Sequence, residues 1–191
     1  LGYKIKLLGN SEVSFNKSNK EEFFCSVEPW LIPKNYGLSN VSGVLNAVQV
    51  QSSLAGSVMI TGAGAGGEPT ASAVLADIVD FANRTKLLSF GRNSSKIKNN
   101  YKTNTYTEKF KFYLRLNVID KFGVLASLTS IFRDNELSIE SFIQKSNHED
   151  KTAELVIITH EASKSMLDKA LLSINKLDGV ISDPVCLSIY S

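Results

Sequence analysis

The sequence predicts an α+β protein, and three observations carry that prediction. From Phe110 onward the apolar periods run strand, helix, strand, strand, helix, strand, the βαββαβ order of a ferredoxin-like fold. Residues 1 to about 86 instead hold short strand-like runs that close on one helix. Between the last of those runs and that helix lies a glycine-rich stretch, Gly62 to Gly67, with no second strand after it of the kind a doubly wound α/β unit needs. The organisation expected is therefore a first region over 1–86, a linker over 87–109 and a second region over 110–191.

In the first region the candidate strands are Tyr3–Leu8, Phe23–Val27, Ala47–Gln51 and Ser57–Thr61, with Ser52–Gly56 as a hairpin turn. The helix is expected from about Pro69 to Arg84. Proline is tolerated in a first helical turn, where its missing N–H costs nothing, and its place predicts a start two residues beyond the last glycine. Val74, Leu75, Ile78, Val79 and Ala82 recur at helical spacing and form an apolar face. Asp77 and Asp80 lie one turn apart on the other side and read as a solvated face rather than a paired-carboxylate site.

The linker run from Gly91 to Thr105 is polar, basic and without period, and cannot bury enough apolar area to order itself. A nucleic-acid arm is disfavoured, because the run lacks regularly placed arginines and stacking aromatics. In the second region Phe112, Leu114, Leu116 and Val118 alternate as in a half-buried strand. Asp120–Gly123 is a turn, and a helix follows to about Asn135. Ser138–Lys145 and Thr152–His160 are strands joined through residues 146–150. A second helix is expected from Met166 to Leu177, stopped at Gly179 by a left-handed cap. Pro184–Tyr190 closes the sheet.

Composition fits a soluble enzyme. With 43% hydrophobic and 21% charged residues over 191 positions, the chain can bury a real core. A net charge of +2 gives no reason to invoke nucleic acid or acidic lipid. No apolar run approaches the roughly 18 residues of a membrane span, and no signal peptide is visible. Cys25 and Cys186, far apart and without CxxC spacing, read as reduced core residues of a cytoplasmic protein.

Gly62, Gly64 and Gly67 match G-x-G-x-x-G, yet the second strand and acidic ribose reader expected about 20 residues on are missing, so this is a glycine loop capping a helix. His148 and His160 show no metal-ligand spacing, no metal site is expected, and no nucleophile elbow is present.

Gly64-Ala65-Gly66 followed by Pro69-Thr70-Ala71-Ser72-Ala73-Val74 and Asp77 resembles the homoserine dehydrogenase family. Three more segments resemble it in the same order: Gly2 to Gly9, Val27-x-Pro29-x-Leu31-Ile32-Pro33, and Val41-x-Gly43-Val44-x-Asn46-Ala47-Val48. The resemblance covers the second half of that family. Asp120-x-x-Gly123-Val124-Leu125, Ser138-Ile139-Glu140-Ser141-x-Ile143-Gln144 and Thr159-His160 resemble the regulatory ACT domains that many such enzymes carry at their C-terminus. The fold implied is the C-terminal part of a homoserine dehydrogenase catalytic domain, 1–86, followed by an ACT domain, 110–191.

The resemblance implies interconversion of L-aspartate 4-semialdehyde and L-homoserine with NADP or NAD, in threonine, methionine and isoleucine biosynthesis. The catalytic lysine and aspartate are expected upstream of Leu1, so this stretch is not expected to catalyse alone. Gly64, Ala65, Gly66, Glu68 and Thr70 are assigned to the cofactor and substrate side. Ala47–Thr61 is expected to contribute strands to a sheet that pairs subunits, making a homo-oligomer. Asp120, Gly123 and Val124 are the expected effector site, with L-threonine as effector. Phe122 departs from the proline usual in that turn, and its ring is expected to fill the pocket. The alternative is a stand-alone amino-acid-binding ACT protein without catalysis.

Overall fold

The alternation in the second region becomes a sheet covered on one face. The computed structural model describes residues 2–15, 21–83, 93–97, 108–147 and 149–190. Of the linker expected at 87–109, only 93–97 and 108–109 fall among them, and His148 lies outside. Strand β5 (Lys109–Ile119) buries Phe112, Leu114, Leu116 and Val118. Helices α2 (Val124–Asp134) and α3 (Lys164–Ile174) lay Leu128, Phe132, Leu167, Ala170 and Ile174 on that face. Strand β7 (Thr152–Thr159) adds Ala153, Leu155 and Ile157, and β6 (Ile139–Asn147) pairs with β7. Short β8 (Ala162–Ser163) pairs with the start of β5, while β9 (Val185–Ile189) runs antiparallel along its middle. Where β5 leaves β7, the buried Thr159 hydroxyl accepts the Phe112 N–H at 3.0 Å, so the ladder has no orphaned donor there. The resulting order, β9-β5-β7-β6, is the predicted ferredoxin-like βαββαβ arrangement.

Helix α3 starts on Ser163, whose hydroxyl accepts the Met166 N–H at 3.4 Å. It ends at Ile174, earlier than the apolar spacing predicts, and single i→i+3 turns carry the chain on to Leu177. Gly179 has the predicted positive φ, 106°.

Residues 1–33 join this sheet. Strands β1 (Tyr3–Phe15) and β2 (Glu21–Pro33) form a hairpin of thirteen residues a side, about twice the expected lengths. Polar residues such as Asn10, Ser11 and Glu12 hide the strand from a periodicity reading, since a hairpin arm tolerates polar side chains wherever it faces water. Strand β2 then pairs in parallel with β9 through Trp30 and Leu31. That ladder begins only after Pro29, which has no N–H to give. The compact units are thus residues 1–33 with 102–191, and residues 34–101, whereas the sequence reading drew its boundaries at 86 and 110.

The second unit contains a turn of 3-10 helix (Gly37–Asn40), a hairpin of β3 (Leu45–Ser52) and β4 (Gly56–Ala63), and helix α1 (Gly67–Ala82). The hairpin turn falls where predicted. Helix α1 begins directly at Gly67, not two residues later, because Pro69 fits inside the first turn. No residue of α1 is buried; its predicted apolar face, Val74, Leu75, Ile78 and Val79, is more than half exposed. A two-stranded sheet is marginal alone, and α1 leaves its apolar face open to solvent.

Both cysteines are free, but only one fits the expected core position. Cys186 packs against the sheet–helix core, and burial pushes its thiol up to about 12. Cys25 is exposed instead, because it stands on the water-facing arm of the hairpin opposite Ser11. Thiolate is the reactive species, so alkylation of the native chain at neutral pH is expected to modify Cys25 and spare Cys186 until denaturant is added. Equal labelling rates would contradict this packing.

Candidate functional site

The glycine loop is built from β3, β4 and the start of α1. Register sets Asn46 of β3 opposite Gly62 of β4. The Gly64 N–H donates to the Val44 carbonyl at 2.8 Å, folding the loop back over the hairpin end. A Cβ on Gly64 would lie 1.7 Å from the Asn46 amide nitrogen, so the Asn46 side chain occupies the space that only a glycine leaves. Gly66 caps α1 with φ 126° and ψ 152°, a conformation essentially confined to glycine. A Cβ there would also meet Pro69 Cδ at 3.3 Å. By contrast, Gly62 and Gly67 face open space. The glycines that matter are therefore Gly64 and Gly66, not the full G-x-G-x-x-G set.

The start of α1 is poorly suited to a pyrophosphate. Pro69 removes one of the N–H donors that an anion site uses. Glu68, in the first turn, puts a carboxylate where a phosphate would sit. The Thr70 hydroxyl donates to the Gly66 carbonyl at 2.8 Å, beside the Thr70 N–H bond to the same oxygen at 3.2 Å, and so fastens the cap. What the loop offers is bare backbone at Gly66, beside a Gly64 already covered by the Asn46 side chain. Asn46 was within reach of the sequence, since it lies inside one of the family-like segments, but nothing in its spacing announced a contact with Gly64.

The second candidate site is the turn between β5 and α2. Asp120 donates its N–H to Lys151 at 2.9 Å, which fixes the turn against the β6–β7 hairpin. Gly123 is the N-cap in the left-handed region, φ 89°, and its carbonyl accepts the Ser127 N–H at 2.9 Å. The Val124 N–H reaches the Lys121 carbonyl only at 3.5 Å, a loose bond. Asp120, Lys121 and Phe122 form the exposed tip of the turn. The Phe122 ring is fully exposed and does not plug the turn, contrary to the sequence expectation, because it projects from the tip into solvent.

At the far end of the sheet, Lys111 is ion-paired with Glu140 at 2.5 Å, and His160 Nδ1 lies 3.9 Å from the same carboxylate. The Lys111 ammonium holds the Glu140 carboxyl below its ordinary range, and the same bond raises Lys111. This is an exposed ion pair at a strand end. Among the described residues no group of three or more His, Cys, Asp and Glu side chains gathers as for a metal. No described helix is long and apolar enough to cross a membrane.

The family model for homoserine dehydrogenase matches residues 1–79, and that for the AHAS small subunit-like ACT domain matches 114–182. The chain is 36% identical over 188 residues to a homoserine dehydrogenase of Neisseria gonorrhoeae, covering 94% of this chain and 42% of that protein. It is 34% identical over 194 residues to one of Pseudomonas aeruginosa, covering 97% and 43%. Among solved structures, a homoserine dehydrogenase from Thiobacillus denitrificans superposes with a TM-score of 0.83 at 31% identity, over 100% of this chain and 43% of that one. The chain thus spans about two-fifths of the length of the relatives it matches. Matched by a dehydrogenase model in its first part and by an ACT model in its last, the chain belongs to the homoserine dehydrogenase family, as the C-terminal part of such an enzyme.

Proposed function

We propose that the enzyme carrying this chain interconverts L-aspartate 4-semialdehyde and L-homoserine in threonine, methionine and isoleucine biosynthesis. A nicotinamide cofactor, NADP or NAD, supplies the hydride chemistry when bound. The residues of this chain position and enclose. Gly64, Ala65 and Gly66 lie on the nicotinamide side, with Asn46 packed over Gly64 and bare backbone at Gly66, while Glu68 and Thr70 lie at the helix start beside the substrate. The lysine and aspartate that move protons belong to the preceding part of the enzyme. The observation that carries this reading is the glycine-only geometry of Gly66 next to the Asn46–Gly64 lock. A stand-alone ACT protein is not favoured, because the family match also takes in the glycine loop and α1 up to residue 79.

The lock gives a test. In the whole enzyme, Asn46→Ala should leave the fold intact and lower kcat/KM about tenfold, about 1.4 kcal/mol, by loosening the Gly64 backbone. Unchanged kinetics would remove the lock from catalysis. The exposed faces of α1 and the β3–β4 hairpin are where the rest of the enzyme, or a second subunit, packs in this reading. Among the described residues β6 pairs only with β7, and its other edge suits pairing with its copy in this reading.

For regulation, L-threonine would place its carboxylate at the N–H groups of Gly123 and Val124, at the positive end of α2, with Asp120 accepting from its ammonium. The Val124 N–H is bonded only at 3.5 Å, to the Lys121 carbonyl, which leaves it accessible to a carboxylate in this reading. Weak or absent threonine binding is expected for the native chain, and stronger binding for Phe122→Pro, which restricts the turn before it binds. Isothermal titration of both chains decides this. Tight binding to the native chain would contradict the view that the turn needs a proline to be restricted.

A further inference from the structure

The face of the sheet opposite α2 and α3 carries a cleft that neither reading above uses. Because side chains alternate along a strand, Tyr113 and Arg115 of β5 point away from the buried Phe112 and Leu114. Register puts Leu187 of β9 beside Tyr113 and Val185 beside Arg115. The parallel step from β9 to β2 brings in Leu31, and Tyr3 lies at the start of β1. With Ile5 of β1 they line a half-open cleft of about 290 Å³. That is close to the lower end of small-ligand pockets, about 300 Å³, which suits a small molecule rather than a peptide. The walls are aliphatic and aromatic, and the polar groups are one guanidinium and two phenols.

Arg115 is the cleft's charge, and no carboxylate lines it. Glu154 of β7 pairs with Asn117, two residues along from Arg115 on the same face, and forms no ion pair with Arg115 among the described residues. A planar guanidinium beside an apolar wall recognises a carboxylate through two parallel N–H donors. An α-amino acid would bring an ammonium as well, and this cleft offers it no anionic acceptor. Such a group, desolvated without a partner, is costly.

We propose that this cleft binds an apolar monocarboxylate without an ammonium group, such as a branched 2-oxo acid. Its carboxylate lies on Arg115 and its alkyl body against Leu31, Val185 and Leu187. The site is separate from the Asp120–Val124 turn and does not rest on the hydride-transfer reading. The test is titration of the full chain with 4-methyl-2-oxopentanoate, followed by amide chemical shifts. Saturable shifts along β5 and β9 are expected, weakened at least tenfold by Arg115→Gln and partly restored by Arg115→Lys. L-Leucine should bind at least tenfold more weakly, and Phe122→Pro should leave the affinity unchanged. Arg115 is exposed, so its variants should remain folded, which their spectra check. No saturable binding would overturn the proposal. So would equal binding by Arg115→Gln, or equal binding of L-leucine. Concentration-dependent self-association through this face, abolished by Leu187→Asp, in place of ligand shifts would also overturn it and make the cleft an interface between copies.

Discussion

Trp30→Ala is expected to lower the stability of the unit formed by residues 1–33 and 102–191 by about 3–5 kcal/mol, the range for deleting a buried aromatic. Trp30 is 0% exposed and stands edge-on to Phe110 at 5.0 Å, with Phe24 on the same ring at 5.2 Å. It is also one of the two residues through which β2 pairs with β9. Its removal empties the seam that ties the hairpin to the sheet. The indole Nε1 is buried without a hydrogen-bond partner. Leaving such a donor unpaired costs about 1–3 kcal/mol. Trp30→Phe, which removes that donor while keeping a ring, should therefore cost much less than Trp30→Ala. Urea unfolding followed by far-UV circular dichroism separates the two. A Trp30→Ala loss below about 1 kcal/mol would mean that the hairpin docks by some other contact.

Gly66→Val is the second large effect, and it acts on function. A β-branched residue cannot hold φ 126° and ψ 152° without a strain of about 1–3 kcal/mol, and its Cβ presses on Pro69. The backbone must turn, carrying the Gly66 carbonyl that both Thr70 donors use. The start of α1 then shifts. The β3–β4 hairpin holds an eight-pair register of its own, so the fold should survive. In the whole enzyme, hydride transfer should fall at least tenfold, about 1.4 kcal/mol of barrier. Gly67→Ala is the contrast, since a Cβ at Gly67 meets open space. It should be close to silent.

The sheet of the second region was legible because its signal is local. The alternation of Phe112 to Val118 is read within seven residues, and the two helices that follow it, α2 and α3, carry their own period. The join between β2 and β9 was not legible. It pairs residues more than 150 positions apart through two positions, and a parallel long-range contact leaves no local pattern. The glycine loop was half legible. The sequence showed that glycines were needed but suggested the wrong set, because G-x-G-x-x-G matches spacing, whereas the backbone angle at Gly66 and the Asn46 amide over Gly64 are set by tertiary structure. Phe122 failed differently. A large ring beside a turn suggests packing, yet its place at the tip leaves it nothing to pack on.

The most direct test of the account places residues 1–191 in an enzyme that can report on them. The matching C-terminal part of the Neisseria gonorrhoeae homoserine dehydrogenase is replaced by this chain, with and without Gly66→Val, and reduction of L-aspartate 4-semialdehyde by NADPH and by NADH is measured. The account predicts an active chimera that loses at least tenfold in rate with Gly66→Val. A folded chimera without activity, or one indifferent to Gly66→Val, would contradict it.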